Sequence, residues 1–205
     1  MGKPVLYTSL RSPFGRRIRL LLEELEIGYE TEILDVFNLP ASFLAVNPLG
    51  RVPVLGLPTG ESIIDSTEIY AYLEKRYAPH ELFASHGVLE GRLREIRGLC
   101  LGIMEYSVMA FLESVRPPGQ SLPIAHDEYL ESIHKALARL STHVQRRGPL
   151  LLSASISAWD LDLGAALAYC DLRLGRQVVD RYMPLRQCLE RLNQRPSFQK
   201  TMPPL

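Results

Sequence analysis

The sequence predicts an α/β unit followed by an all-α unit. Three observations carry this. Up to Tyr77, short β-type runs alternate with helical stripes in the order strand, helix, strand, helix, strand, strand, helix. Ala78-Pro-His-Glu-Leu-Phe-Ala-Ser-His-Gly87 then interrupts the pattern, as a linker does. From Val88 onward only helical periods occur. The expected division is 1–78 for the α/β domain, 79–87 for the linker and 88–205 for the helical domain.

Val5, Leu6 and Tyr7 are strand formers. Ser12-Pro13 is turn chemistry, with proline pre-set for the first helical turn. Ile18, Leu21, Leu22 and Leu25 recur at helical spacing, and Gly28 suits the C-cap. Tyr29–Val36 reads as the second strand and Leu39–Val46 as a short irregular helix entered through Pro40. Asn47-Pro48-Leu49-Gly50 is a turn cluster. Val52–Gly56 and Ser62–Ile64 are the third and fourth strands. Thr67–Tyr77 is a helix with Ile69, Leu73 and Tyr77 on one face.

In the second half, Val88–Val115 is a long helix with Leu89, Leu93, Ile96, Cys100, Ile103 and Met104 in a stripe. Gly91, Gly98 and Gly102 weaken it, each by up to about 1 kcal/mol relative to Ala, and would admit the backbone of another helix. Arg116-Pro-Pro-Gly-Gln120 breaks it. Asp127–Arg147 follows, ended by Gly148-Pro149. Ile156–Leu174 is apolar nearly all round and reads as the buried centre of a bundle. Val178–Tyr182 and Leu185–Leu192 are shorter helices, and Arg195–Leu205 reads as an irregular tail.

Composition narrows the function. Lys plus Arg equals Asp plus Glu, giving a net charge of zero, which argues against a nucleic-acid or membrane-surface role. Cys100, Cys170 and Cys188 are far apart, without C-x-x-C or metal-ligand spacing. They read as small core residues in a reducing compartment. No signal-peptide pattern and no membrane-length apolar run is found, so a soluble, cytoplasmic protein without a metal is expected.

Four motifs bear on chemistry. Ser12 stands where the first helix begins. Orphan N–H groups and the positive end of the helix dipole converge there, so Ser12 is either a simple N-cap or a hydroxyl donor to a bound anion. Arg51-Val52-Pro53 opens a strand with a residue that cannot donate to the ladder. Either Pro53 is a trans edge proline, or a cis Val52–Pro53 bond turns the Val52 backbone toward an extended peptide. Asp65-Ser66 is either a helix cap or a clamp, with Ser66 for a carboxylate and Asp65 for an ammonium. Ser157-Ala-Trp-Asp160 has capping-box spacing and reads as structural. Arg16, Arg17 and Arg19 lie early in the first helix, where cations oppose the dipole. They pair with acids of the helical domain, or one of them raises the potential at a bound anion.

Together these pieces resemble the cytosolic glutathione transferase superfamily over nearly the whole chain. Arg11-Ser-Pro-Phe-Gly-Arg-Arg-Ile-Arg19 is similar to the serine motif of its zeta-like members, and Asn47-Pro-Leu-Gly-Arg-Val-Pro-Val-Leu55 to its cis-proline segment. Ile64-Asp-Ser66 resembles its acid–serine pair, and Ser157–Asp160 its bundle capping box. Asn193–Phe198 with Thr201-Met-Pro-Pro204 resembles the tail of small bacterial members. The resemblance implies a thioredoxin-like first domain, a homodimer, a detoxifying role and glutathione as co-substrate for attack on a small electrophile. It makes Ser12 the catalytic hydroxyl and Val52, before Pro53, the backbone partner of the cysteinyl unit. Asp65 and Ser66 would hold the γ-glutamyl end, with Phe14 and Arg51 as further contacts. The electrophile is expected between the domains, with Tyr106, Met109, Arg116, Trp159 and Tyr169 as lining residues or simple core. A thiol–disulfide reductase would want Cys at position 12. A non-catalytic interaction module would show no affinity for glutathione.

Overall fold

The structure, a computed structural model, describes residues 2–78, 80–85, 87–117, 119–147 and 155–204. Its contacts divide the chain into two compact units, Met1–Phe83 with Pro196–Leu205, and Ala84–Arg195.

The first unit runs β1 (Val5–Thr8), α1 (Pro13–Glu24), β2 (Glu30–Ile33), α2 (Ala41–Val46), β3 (Val54–Gly56), β4 (Ser62–Ile64) and α3 (Ser66–Tyr77), then a single 3₁₀ turn at Glu81–Phe83. This is the expected order. The sheet order is β2-β1-β3-β4, with β1–β2 parallel and the other two pairs antiparallel. Leu6 lies opposite Leu55, and both are buried on one face, where α3 meets β3 and β4. Tyr7 lies opposite Val54 on the other face. There Tyr7 packs on Phe43 of α2, within a core of Leu34, Phe43 and Val54. This is the thioredoxin-like arrangement that the sequence led us to expect.

Two strands are shorter than expected. β2 stops at Ile33 because the Asp35 carboxylate accepts the Phe37 N–H at 3.0 Å and turns the chain. β3 begins at Val54, since Pro53 has no N–H to offer the ladder.

The second unit is helical: α4 (Glu90–Ser114), α5 (Pro123–Arg147), α6 (Ala158–Leu174), α7 (Gln177–Asp180) and α8 (Met183–Leu192). α4 packs on α5 and α6, and α6 also touches α7 and α8. α6 is buried along most of its length, as its all-round apolarity predicts. Ser157 and Asp160 cap it reciprocally, the Ser157 N–H donating to Asp160 Oδ2 at 2.9 Å. α5 starts four residues before the expected Asp127, because Pro123 suits a first helical turn, where no N–H is needed. The expected terminator Gly148-Pro149 lies outside the described residues, as do Pro79, His86 and Pro118. Gly91, Gly98 and Gly102 face open space among the described residues: a Cβ built there meets nothing within 4 Å. No helix of the described residues exploits them.

The tail is not irregular. Pro196–Lys200 forms α9, which packs on α1. Arg16 donates to the Phe198 carbonyl at 3.2 Å, and Arg19 to the carbonyls of Thr201 and Lys200 at 3.4 and 3.3 Å. Phe198 is fully buried, with the Arg16 guanidinium 5.5 Å from its ring centroid. Cations at the exit of a short helix satisfy carbonyls that have no partner within it.

Candidate active site

The strand register gathers the candidate residues at one edge of the sheet. β1 pairs antiparallel with β3 through Tyr7–Val54, and β3 with β4 through Val54–Ile64. The end of β1, the start of β3 and the end of β4 therefore meet at the same edge. From that edge β1 leads into Ser12, β3 is entered through Val52-Pro53, and β4 leads into Asp65-Ser66.

Ser12 is the N-cap of α1. Its hydroxyl oxygen accepts the Gly15 N–H at 3.1 Å, and its own N–H donates to the Ser9 carbonyl at 3.0 Å. A hydroxyl has one proton and two lone pairs, so capping through the oxygen leaves the proton for another acceptor. The cap and donor readings of Ser12 are thus compatible. Gly15 makes the geometry possible: a Cβ there would stand 2.0 Å from Thr8 Oγ1. With Thr8 in place, glycine lets the first turn of α1 lie this close to the end of β1 without displacing the threonine hydroxyl. Phe14 is half-buried in the same turn.

The Val52–Pro53 bond is cis. Of the two readings of this segment, the cis one is observed. Arg51 is exposed, and its carbonyl accepts from Asn47 Nδ2 at 2.7 Å. Asn47 Oδ1 in turn accepts the Leu49 N–H at 3.1 Å. Asn47 is fully buried and shapes the loop that delivers Val52. Sequence reading treated it only as a turn former, because turn asparagines are common and its partners lie within the turn itself.

Asp65 is the N-cap of α3, accepting the Thr67 N–H at 2.7 Å from a backbone with φ 79°. Such a φ is costly for a residue with a Cβ, and strain of this kind concentrates at functional positions. Ser66 follows as the first residue of α3, buried, with its hydroxyl oxygen accepting from Arg17 Nη1 at 3.1 Å. The arginines differ from expectation. Arg16 and Arg19 hold α9, and Arg17 reaches Ser66. Burial, with Arg19 nearby, lowers Arg16 to about 10.

Cys170 and Cys188 lie buried in the second unit, and burial raises both thiols to about 12. Neither is a nucleophile at neutral pH. Trp159 and Tyr169 are core residues, whereas Tyr106 and Met109 are exposed, Tyr106 stacking on Tyr129 at 5.7 Å. A cavity of about 580 Å³ in the first unit is lined by Lys3, Arg19, Glu23, Glu26, Tyr29 and Lys200, among others, and by none of the candidate residues. Within it Glu23 accepts from Tyr29 at 2.9 Å and pairs with Lys200 at 2.8 Å. Among the described residues no cluster of three or more His, Cys, Asp or Glu could hold a metal, and no helix is long and apolar enough to cross a membrane.

A serine at a helix N-terminus beside a cis-proline loop and an acid–serine pair, on this fold, defines a glutathione-transferase-like first domain. Residues 6–81 match the family model of the glutathione S-transferase N-terminal domain. The chain is 31% identical to glutathione S-transferase DHAR2 of Arabidopsis thaliana, over 92% of this chain and 83% of that protein. It is 30% identical to the GST-like protein YibF of Escherichia coli, over 97% and 98%. A glutathione S-transferase from Methylobacillus flagellatus, crystallised with glutathione bound, superposes with a TM-score of 0.90 at 27% identity, covering 98% of this chain and all of that one. A glutathione transferase family member from Pseudomonas fluorescens, also with bound glutathione, gives 0.85 at 26% identity, covering 99% of this chain and all of that one. The chain belongs to the glutathione transferase family.

Proposed function

We propose that this protein binds glutathione at the sheet edge and activates its thiol for attack on a small electrophile. The observation that carries the reading is Ser12: its oxygen is engaged by the Gly15 N–H, so its proton is left for an anion at the N-terminus of α1. Val52 is the backbone partner of the cysteinyl unit. Asp65 and Ser66 hold the ammonium and carboxylate of the γ-glutamyl end. Phe14, Arg51 and Pro53 complete the cradle.

A free thiol titrates near 8.5, and lowering that by about two pH units takes about 2.7 kcal/mol of preferential thiolate stabilisation. A hydrogen bond to a charged group supplies roughly 1.5–3 kcal/mol. A helix N-terminus adds roughly 0.3–1 kcal/mol. Ser12 and its helix suffice, without a general base. The thiol proton leaves to solvent, and the thiolate forms a C–S bond to the electrophilic carbon. In a substitution the leaving group departs with its bonding pair. In an addition, the carbanion formed takes a proton from water. Conjugation, isomerisation and dehalogenation all begin with this attack.

The position that a reductase would fill with Cys holds Ser12, which disfavours thiol–disulfide chemistry. Titration calorimetry with glutathione tests the reading. Binding, together with conjugation of an activated aryl halide or an unsaturated carbonyl compound, is expected. No binding would favour a non-catalytic interaction module, and rapid reduction of a glutathionylated peptide would favour the reductase. The family relationship supports a cytoplasmic homodimer, for which sedimentation velocity should report twice the chain mass.

A further inference from the structure

We infer that Arg17 is a positioning residue that commits the Ser66 hydroxyl to donate to the ligand's carboxylate. This rests on the reading above, in which Ser66 receives the γ-glutamyl carboxylate.

Arg17 lies on the second turn of α1 and is 1% exposed. Its guanidinium stands 5.1 Å from the ring centroid of Tyr70, one turn along α3 from Ser66, and Nη1 is 3.1 Å from Ser66 Oγ. A guanidinium is only a donor and stays protonated, so Ser66 Oγ must accept in this bond. The hydroxyl has a single proton, which is thereby directed away from Arg17. At the first position of α3, the Ser66 hydroxyl lies beside the helix N-terminus, where N–H groups lack intrahelical partners. Without Arg17 the same hydroxyl could rotate and accept from a solvent or backbone donor, presenting lone pairs to an incoming carboxylate. The buried cation also places positive charge 3.1 Å from the serine hydroxyl, in surroundings that screen it little. Arg17 thus acts on the carboxylate through Ser66, without touching it.

The test compares glutathione with its analogue in which 4-aminobutanoyl replaces γ-glutamyl, which keeps the amine and lacks the α-carboxylate. Wild type should prefer glutathione by about tenfold or more, the scale of one hydrogen bond to a charged group. Arg17→Met should weaken glutathione about tenfold and leave the analogue within about twofold. Arg17→Lys, which keeps a cation without the planar fork, should recover part of the preference. Ser66→Ala alone should show the same carboxylate-specific loss, and Arg17→Lys added to it should cost nothing more, because coupled residues are not additive. These comparisons are made within each folded variant. If Arg17→Met does not fold, the Ser66→Ala and Arg17→Lys cycle carries the test. Equal weakening of both ligands, or additive losses in the cycle, would overturn the positioning role while leaving the glutathione reading in place. Absence of glutathione binding by wild type, or no preference over the analogue, would instead overturn the reading itself.

Discussion

Replacing Ser12 separates two jobs that one side chain performs. Ser12→Ala removes the oxygen that accepts the Gly15 N–H at 3.1 Å, a cap worth about 1 kcal/mol. For a chain of this length that lowers the melting temperature by about 2–4 °C. It also removes the proton donated to the thiolate. Losing a hydrogen bond of about 1.5–3 kcal/mol to a charged group raises the bound thiol by about 1 to 2 pH units. The helix N-terminus remains in the variant, so some activation persists. Ser12→Asp splits the effects. Aspartate caps as well as serine, so stability should hold. Yet it only accepts when ionised and carries negative charge, so the bound thiol should rise at least as far as in Ser12→Ala. The assay is ultraviolet thiolate absorbance of the glutathione complex against pH, with melting curves in parallel. Glutathione affinity should be nearly intact in Ser12→Ala at low pH, where both complexes hold the neutral thiol, and should fall below wild type as the bound thiol ionises. A thiol titration in Ser12→Ala that overlays wild type would refute the mechanism.

Three further outcomes are expected. Gly15→Ala gains up to about 1 kcal/mol of helix propensity. Its Cβ would lie 2.0 Å from Thr8 Oγ1, which is fully buried, so overpacking of about 1–3 kcal/mol should win and urea midpoints should fall. The double variant with Thr8→Ala should regain part of the Gly15→Ala loss, and a Gly15→Ala protein more stable than wild type would contradict this packing. Asp65→Asn keeps a good cap and a side chain of the same shape on the same backbone, so the melting temperature should barely move. Glutathione should nevertheless bind more weakly, because the carboxylate facing the ammonium is gone; calorimetry showing no change would remove Asp65 from the site. Finally, burial holds His134 and His143 below the ordinary imidazole value of 6.5. The unfolded chain then takes up protons that the folded one resists, so stability should fall as pH drops below about 6.5 toward the folded values. Denaturation midpoints should show that slope, flattened in His143→Gln with His134→Gln. An equally steep slope in that double variant would assign the effect to other groups.

The elements legible in the sequence were those whose cause is local. α1 declared itself through Ser12-Pro13 and its apolar period, and the α6 box through Ser157 and Asp160, three residues apart. The cis state of Val52–Pro53 was one of two open readings, since chemistry alone gives a proline at a strand start either isomer. What escaped depends on distant partners. Arg16, Arg17 and Arg19 look like surface charges on a helix, yet their partners are Phe198, Ser66 and Thr201. No periodicity can foretell a guanidinium whose acceptor lies some fifty or more residues further on. α9 was missed for the same reason: five residues that begin with a proline have little helical signal, and the arginines of α1 supply what they lack.

The docking of α9 has a consequence for biogenesis. A chain leaving the ribosome has made all the strands of the α/β unit by residue 64, but the carbonyls awaited by Arg16 and Arg19 emerge only with residues 198–201. The helical unit, wholly contained in Ala84–Arg195, is synthesised before its predecessor can be completed. A fragment cut after Phe83 would leave two guanidinium groups, paired in the intact protein, facing water where α9 belongs.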